Sequence, residues 1–150
     1  MKITDIVSYV LLAPNYDRGK TSSAQDSFVL EVVTDEGITG IGETDANPWI
    51  MKACIEAPGT HTMSQGIKQL LMGADPLDIS GLMKHLYIAT AMDGRRGALI
   101  HALGAVEMAL WDIKGKSLGR PVYQLLAEER GSPSRSSVRP YASLQPSGSS

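Results

Sequence analysis

The chain has 150 residues, 43% hydrophobic and 20% charged, with a formal net charge of −2. That balance suits one soluble domain with a real core and leaves no electrostatic footprint for nucleic acid or an anionic membrane. The single cysteine, Cys54, rules out an intrachain disulfide and gives no support to a zinc or iron–sulfur site. Asp5 interrupts the start too early for a signal peptide, and no apolar run nears the ~18 residues of a membrane span. A cytoplasmic location is the resulting expectation.

Residues 2–12 mix β-branched and polar side chains and predict a strand that Pro14 ends. Residues 26–34 predict a second, with Phe28, Leu30 and Val32 on one face and Val29 and Val33 on the other. Thr34-Asp35-Glu36-Gly37 then turns the chain, Gly37 supplying a positive φ, and residues 38–43 return as a third strand of an antiparallel meander. Helical signals follow. Asp45 or Asn47 can cap a helix that has Pro48 at its first position and runs toward Ala57. Residues 63–72 and 80–91 carry apolar side chains at helical spacing, and a long helix is predicted from near Gly94 to Gly115–Gly119.

In that long helix Leu99, Leu103, Val106, Leu110 and Ile113 form one apolar stripe. Ala98, Ala102, Ala105 and Ala109 form a second, made only of small side chains, so another element can approach closely. Two buried faces predict a helix sandwiched between partners. Beyond Leu126 the polar, aperiodic residues 127–137 predict a linker, and residues 138–144 predict a short strand.

Few residues demand chemistry. Gly40-x-Gly42-x-x-Asp45 lacks the third glycine of a dinucleotide fingerprint and sits in a hairpin strand, so close backbone packing accounts for it better. Glu43 and Asp45 stand together at a strand end but supply too few oxygens for a hard cation. His61, His85 and His101 have no metal-ligand spacing, and Cys54 reads as a small buried hydrophobe. Arg95 and Arg96 oppose the dipole of the helix they precede; either a solvated turn or a domain or subunit contact accounts for them. Asp112 extends the small-residue face and lies four residues before Lys116, the orientation favoured for an ion pair.

The run "GRRGALIHALGAVEMALWDIKGKSLGRPVYQLL" resembles a signature of the mandelate racemase/muconate lactonizing enzyme family, within the enolase superfamily. Ala102, Gly104, Ala105, Glu107, Ala109-Leu110-Trp111-Asp112, Gly115-Lys116, Pro121 and Leu125-Leu126 carry the match, and "DEGITGIGET" follows the same order. The family usually continues with glycines where this chain has Ala127-Glu128.

The resemblance implies an α+β fold, a three-stranded antiparallel meander followed by a helical bundle, over residues 1–126. In the family this unit caps a (β/α)₈ barrel, of which this chain is expected to hold only the start, a first strand, or else a disordered tail, within residues 138–150. It also implies chemistry in which the proton α to a carboxylate is abstracted and Mg²⁺ stabilises the enediolate, with bases and metal ligands on barrel strands. No catalytic or metal-binding residue is therefore carried over here. Two loops that close over the barrel mouth match residues 13–25 and 44–50, which makes Tyr16, Asp17, Arg18, Asn47 and Trp49 candidate specificity contacts. Arg95, Arg96, Asp112 and Lys116 are the candidate domain or subunit contacts. The implied whole enzyme is a Mg²⁺-dependent homo-oligomer acting on a small carboxylate such as an acid sugar, as a dehydratase or racemase. This chain alone is expected to be inactive and to bind no metal. A stand-alone binding or assembly module reusing the fold is the alternative.

Overall fold

The computed structural model describes residues 1–20, 25–94 and 96–129. Three strands, β1 (Ile3–Leu12), β2 (Asp26–Thr34) and β3 (Thr39–Thr44), form an antiparallel sheet in the order β1-β2-β3. Five helices follow among the described residues: α1 (Pro48–Glu56), α2 (Ile67–Leu71), α3 (Ile79–Ala89), α4 (Ala98–Leu118) and α5 (Val122–Glu129). The α+β meander-plus-helices arrangement is the one read from the sequence.

Alternation fixes which face of the sheet is covered. Phe28, Leu30 and Val32 of β2 are fully buried, whereas Val29, Glu31 and Val33 point to the other face and are half-buried. A register shift between Ile3 and Asp5 lets Ile3 and Ile6 of β1 both reach the core. Gly37 holds φ 76° in the turn between β2 and β3.

On the covered face β3 presents Gly40 and Gly42 opposite Val32 and Leu30. A Cβ at Gly40 would overlap the carbonyl oxygen of Ala109, and one at Gly42 that of Ala105. The absence of side chains at Gly40 and Gly42, on the covered face of β3, and the small stripe of α4 are thus one feature: together they bring helix backbone against strand backbone. Leu99, Leu103, Val106, Leu110 and Ile113 are also buried, so both predicted faces of α4 are covered.

Several boundaries differ from the sequence reading, each for a local reason. The predicted helix over residues 63–72 shrinks to α2, because the chain before it bonds elsewhere. Ser64 N–H donates to the His61 carbonyl, Gln65 N–H to that of Ala89, and Gly66 is extended at φ −68°, ψ 130°. The long helix begins at Ala98 rather than near Gly94, since Gly97 adopts φ 69°, ψ −134°, which a side chain rarely tolerates. It passes through Gly115 and ends against left-handed Gly119. Residues 127–129, read as linker, continue α5, where Arg120 grips Glu128 through both guanidinium nitrogens. The strand expected at 138–144 lies outside the described residues.

Candidate functional site

Antiparallel pairing carries β1 out and β2 back at the end where β3 also finishes, Phe28 lying opposite Thr44 and Leu12 opposite Asp26. The two loops singled out in the sequence therefore leave the same end of the sheet. α4 runs antiparallel to β3 and starts there too: the His101 ring lies 3.4 Å from the Thr44 hydroxyl.

Polar groups of the described part of the first loop, residues 13–20 and Gln25, bond to one another. Ala13 N–H donates to the Gln25 carbonyl at 2.7 Å, and Tyr16 N–H to that of Ala13 at 3.1 Å. The Asp17 carboxylate accepts from Gly19 N–H at 2.9 Å, so its charge faces its own loop. Tyr16 and Arg18 are exposed.

The second loop is short because it becomes the cap of α1. Asn47 Oδ1 accepts from Trp49 N–H at 3.1 Å and from Ile50 N–H at 3.4 Å, while Pro48 occupies the first helical position. Of the two candidate caps, Asn47 is the one used. Trp49, in the first turn, is 61% exposed.

Between the roots of the loops lies a cleft of about 440 Å³ reached by Leu12, Gln25, Asp26, Glu43 and Asp45. A neighbouring cleft of about 450 Å³ is shared by Glu43, Asp45, His101 and Met108. A third cavity, about 510 Å³ and mainly apolar, lies between α1 and the start of α4, lined by Trp49, Ile50, Cys54, Ile67, Asp93 and Leu99. Cys54 is therefore half-buried at a cavity wall rather than in the core, and burial, with a smaller push from Asp93, raises its thiol above the ordinary value. His61, His85 and His101 are exposed.

The remaining contact candidates separate. Arg95 lies outside the described residues, and Arg96 is exposed before α4 at the loop end of the sheet. Asp112 and Lys116 lie at the opposite end of the helix, paired at 2.7 Å. Asp112 Oδ2 also accepts from Ile41 N–H at 2.9 Å, and Lys116 donates to the Thr39 carbonyl at 2.8 Å. The pair therefore satisfies backbone groups on the outer edge of β3. Sequence reasoning saw the ion pair but not this docking, and it overlooked Asp26 and Gln25 at the cleft.

Among the described residues no group of three or more His, Cys, Asp or Glu side chains is arranged to hold a metal ion. The Mg²⁺ implied by the resemblance thus finds no fitting donor set among the described residues. No helix among them is long and apolar enough to cross a membrane.

Residues 7–127 match the model of the mandelate racemase/muconate lactonizing enzyme N-terminal domain. The chain belongs to that family. It is 38% identical over 122 residues to a D-galactonate dehydratase family member of Pseudarthrobacter chlorophenolicus, covering 81% of this chain and 27% of the relative. It is 31% identical over 116 residues to an L-rhamnonate dehydratase of Saccharopolyspora erythraea, covering 77% of this chain and 26% of the relative. Among solved structures, the 3,6-anhydro-D-galactonate cycloisomerase of Zobellia galactanivorans aligns with a TM-score of 0.69 at 28% identity, covering 84% of this chain and 32% of that one. The chain thus spans about a quarter of the length of the curated relatives it matches. As a member of the family it is an enolase-superfamily capping domain with acid-sugar dehydratases among its relatives.

Proposed function

We propose that this domain selects the substrate of a Mg²⁺-dependent enolase-superfamily enzyme, an acid-sugar dehydratase, and contributes no group to its proton transfers. The emergence of both loops from one end of the sheet, with Tyr16, Arg18 and Trp49 exposed on them, carries the reading. A cationic guanidinium, a phenol and an indole suit a polyhydroxylated carboxylate: Arg18 can pair with the carboxylate, and Tyr16 can bond a hydroxyl. Asn47 holds the first turn of α1, and hence Trp49, in place through its cap bonds. Such loops exclude water and set specificity, while bases and metal ligands belong to the barrel.

Residues 1–150 incubated with Mg²⁺ and a panel of acid sugars should neither release water from any of them nor exchange the proton α to the carboxylate. Turnover by this chain would overturn the assignment.

A further inference from the structure

The first loop contains an unusual closure. The Gln25 side-chain amide meets both peptide groups of Asp17: Oε1 accepts from Asp17 N–H at 2.9 Å, and Nε2 donates to the Asp17 carbonyl at 3.2 Å. The main chain of Gln25 meanwhile accepts from Ala13 N–H at 2.7 Å. One residue thus closes the arc at its root through its backbone and again four residues further out through its side chain.

The chemistry of the contact is selective. A carboxamide presents donor and acceptor side by side, as a neighbouring strand would, and only Gln does so with this reach; Asn is one methylene shorter. The flipped amide would set Nε2 against an N–H and Oε1 against a carbonyl, so one orientation alone pairs. Within the arc, Lys20 N–H donates to the Asp17 carbonyl at 3.1 Å, and the Asp17 carboxylate accepts from Gly19 N–H. Asp17 is thereby the hub of the arc, and its sequence neighbours Tyr16 and Arg18 are exposed.

We propose that Gln25 is a positioning residue: it clamps Asp17 and so fixes the placement of Tyr16 and Arg18. The functional consequence rests on the reading that this loop meets substrate, but the clamp does not. Each neutral hydrogen bond of this kind shifts a local opening equilibrium by roughly fivefold, and the pair by roughly tenfold or more.

Limited trypsin digestion of the native chain reads the clamp at the Arg18–Gly19 bond, with cleavage after Lys84 in α3 as the internal control. Gln25→Ala should speed cleavage after Arg18 roughly tenfold, leaving the Lys84 rate and the thermal midpoint unchanged. Gln25→Glu sets a carboxylate oxygen against the Asp17 carbonyl where Nε2 donated, and should also speed cleavage after Arg18. A rate after Arg18 within twofold of the parent for Gln25→Ala would overturn the proposal, as would a rise matched at Lys84. No substrate enters the experiment, so its failure is distinct from failure of the substrate-selecting role.

Discussion

Asp112 Oδ2 accepts the amide hydrogen of Ile41 at 2.9 Å, across 71 residues of sequence. Lys116, one helical turn on, supplies the complementary donor to the Thr39 carbonyl at 2.8 Å. An edge strand ordinarily leaves such groups to water or to another chain. Here two side chains of α4 occupy the places a fourth strand would fill. Asp112 and Lys116 of the Trp-Asp-x-Lys-Gly-Lys run thus close the edge of a sheet. Within the same run, Lys114 lies 4.7 Å from the centre of the Trp111 ring.

Removing this closure should loosen β3 first. Asp112→Ala is expected to cost about 1 kcal/mol of stability, since the side chain is partly exposed and its bonds compete with water. Hydrogen exchange at the Ile41 amide should accelerate more than at amides in the interior of α4. Asp112→Asn keeps an acceptor for Ile41 and should preserve that protection while weakening the hold on Lys116.

The contact between β3 and α4 depends on backbone proximity. Gly42→Ala should destabilise the chain by about 3 kcal/mol or more, because the new methyl would overlap the Ala105 carbonyl, which cannot move without shifting the helix. Gly104→Ala is the matched control. Nothing lies within 4 Å of a Cβ there, and an alanine in mid-helix should stabilise by about 0.5–1 kcal/mol. Urea denaturation of the two variants should move in opposite directions.

Acid should weaken the fold through carboxylates held below their ordinary range. Asp5 is lowered from its usual 3.8, first by Lys68 at 2.8 Å and then by Ile6 N–H at 2.7 Å; Glu56 is lowered from 4.5 chiefly by Lys52. A depressed carboxyl contributes stability that is complete above its unfolded value and lost as pH falls through its folded one. Both groups are open to solvent, so the contribution is small. Asp5→Asn should flatten the loss of stability between about pH 5 and about pH 3 relative to the parent chain, followed by thermal melts.

Cys54 faces a cavity yet should react slowly. Its raised thiol leaves less thiolate at mildly alkaline pH, so alkylation should run several-fold slower than for a free thiol. Asp93→Asn removes the smaller of the two causes and should raise the rate modestly, while burial continues to hold it down.

The strands were legible because β-branched residues alternate in them and Gly37 marks the turn. The two faces of α4 were equally legible from its spacing. Gly40 and Gly42 could be read as close-packing glycines, and the alanines as a small face, but nothing in the sequence says that these two surfaces meet. The same holds for Asp112: its pairing with Lys116 follows from helical spacing, whereas its bond to Ile41 is a product of the fold. Residues 63–66 misled because Ile67, Leu70 and Leu71 suit a helix while the hydrogen bonds of the preceding chain go to a hairpin-like bridge and to Ala89. The start of α5 did carry a signal, Pro121 after left-handed Gly119, which marks one helix ending and another starting. The two loops at one end of the sheet stand out through family resemblance rather than from their own composition. The Gln25 clamp, built on an ordinary polar residue, left no trace in the pattern.

We propose that residues 1–126 choose the substrate without performing the reaction. It is tested most directly by substituting them for the matching segment of the Pseudarthrobacter chlorophenolicus relative and measuring kcat and KM on a panel of acid sugars. The account predicts a hybrid whose preference among sugars differs from that of its parent. Arg18→Ala in the hybrid should then raise KM roughly tenfold, the loss of one charge-assisted contact, with kcat little changed. A preference identical to the parent's, or a collapse of kcat at unchanged KM on altering Arg18, would contradict it.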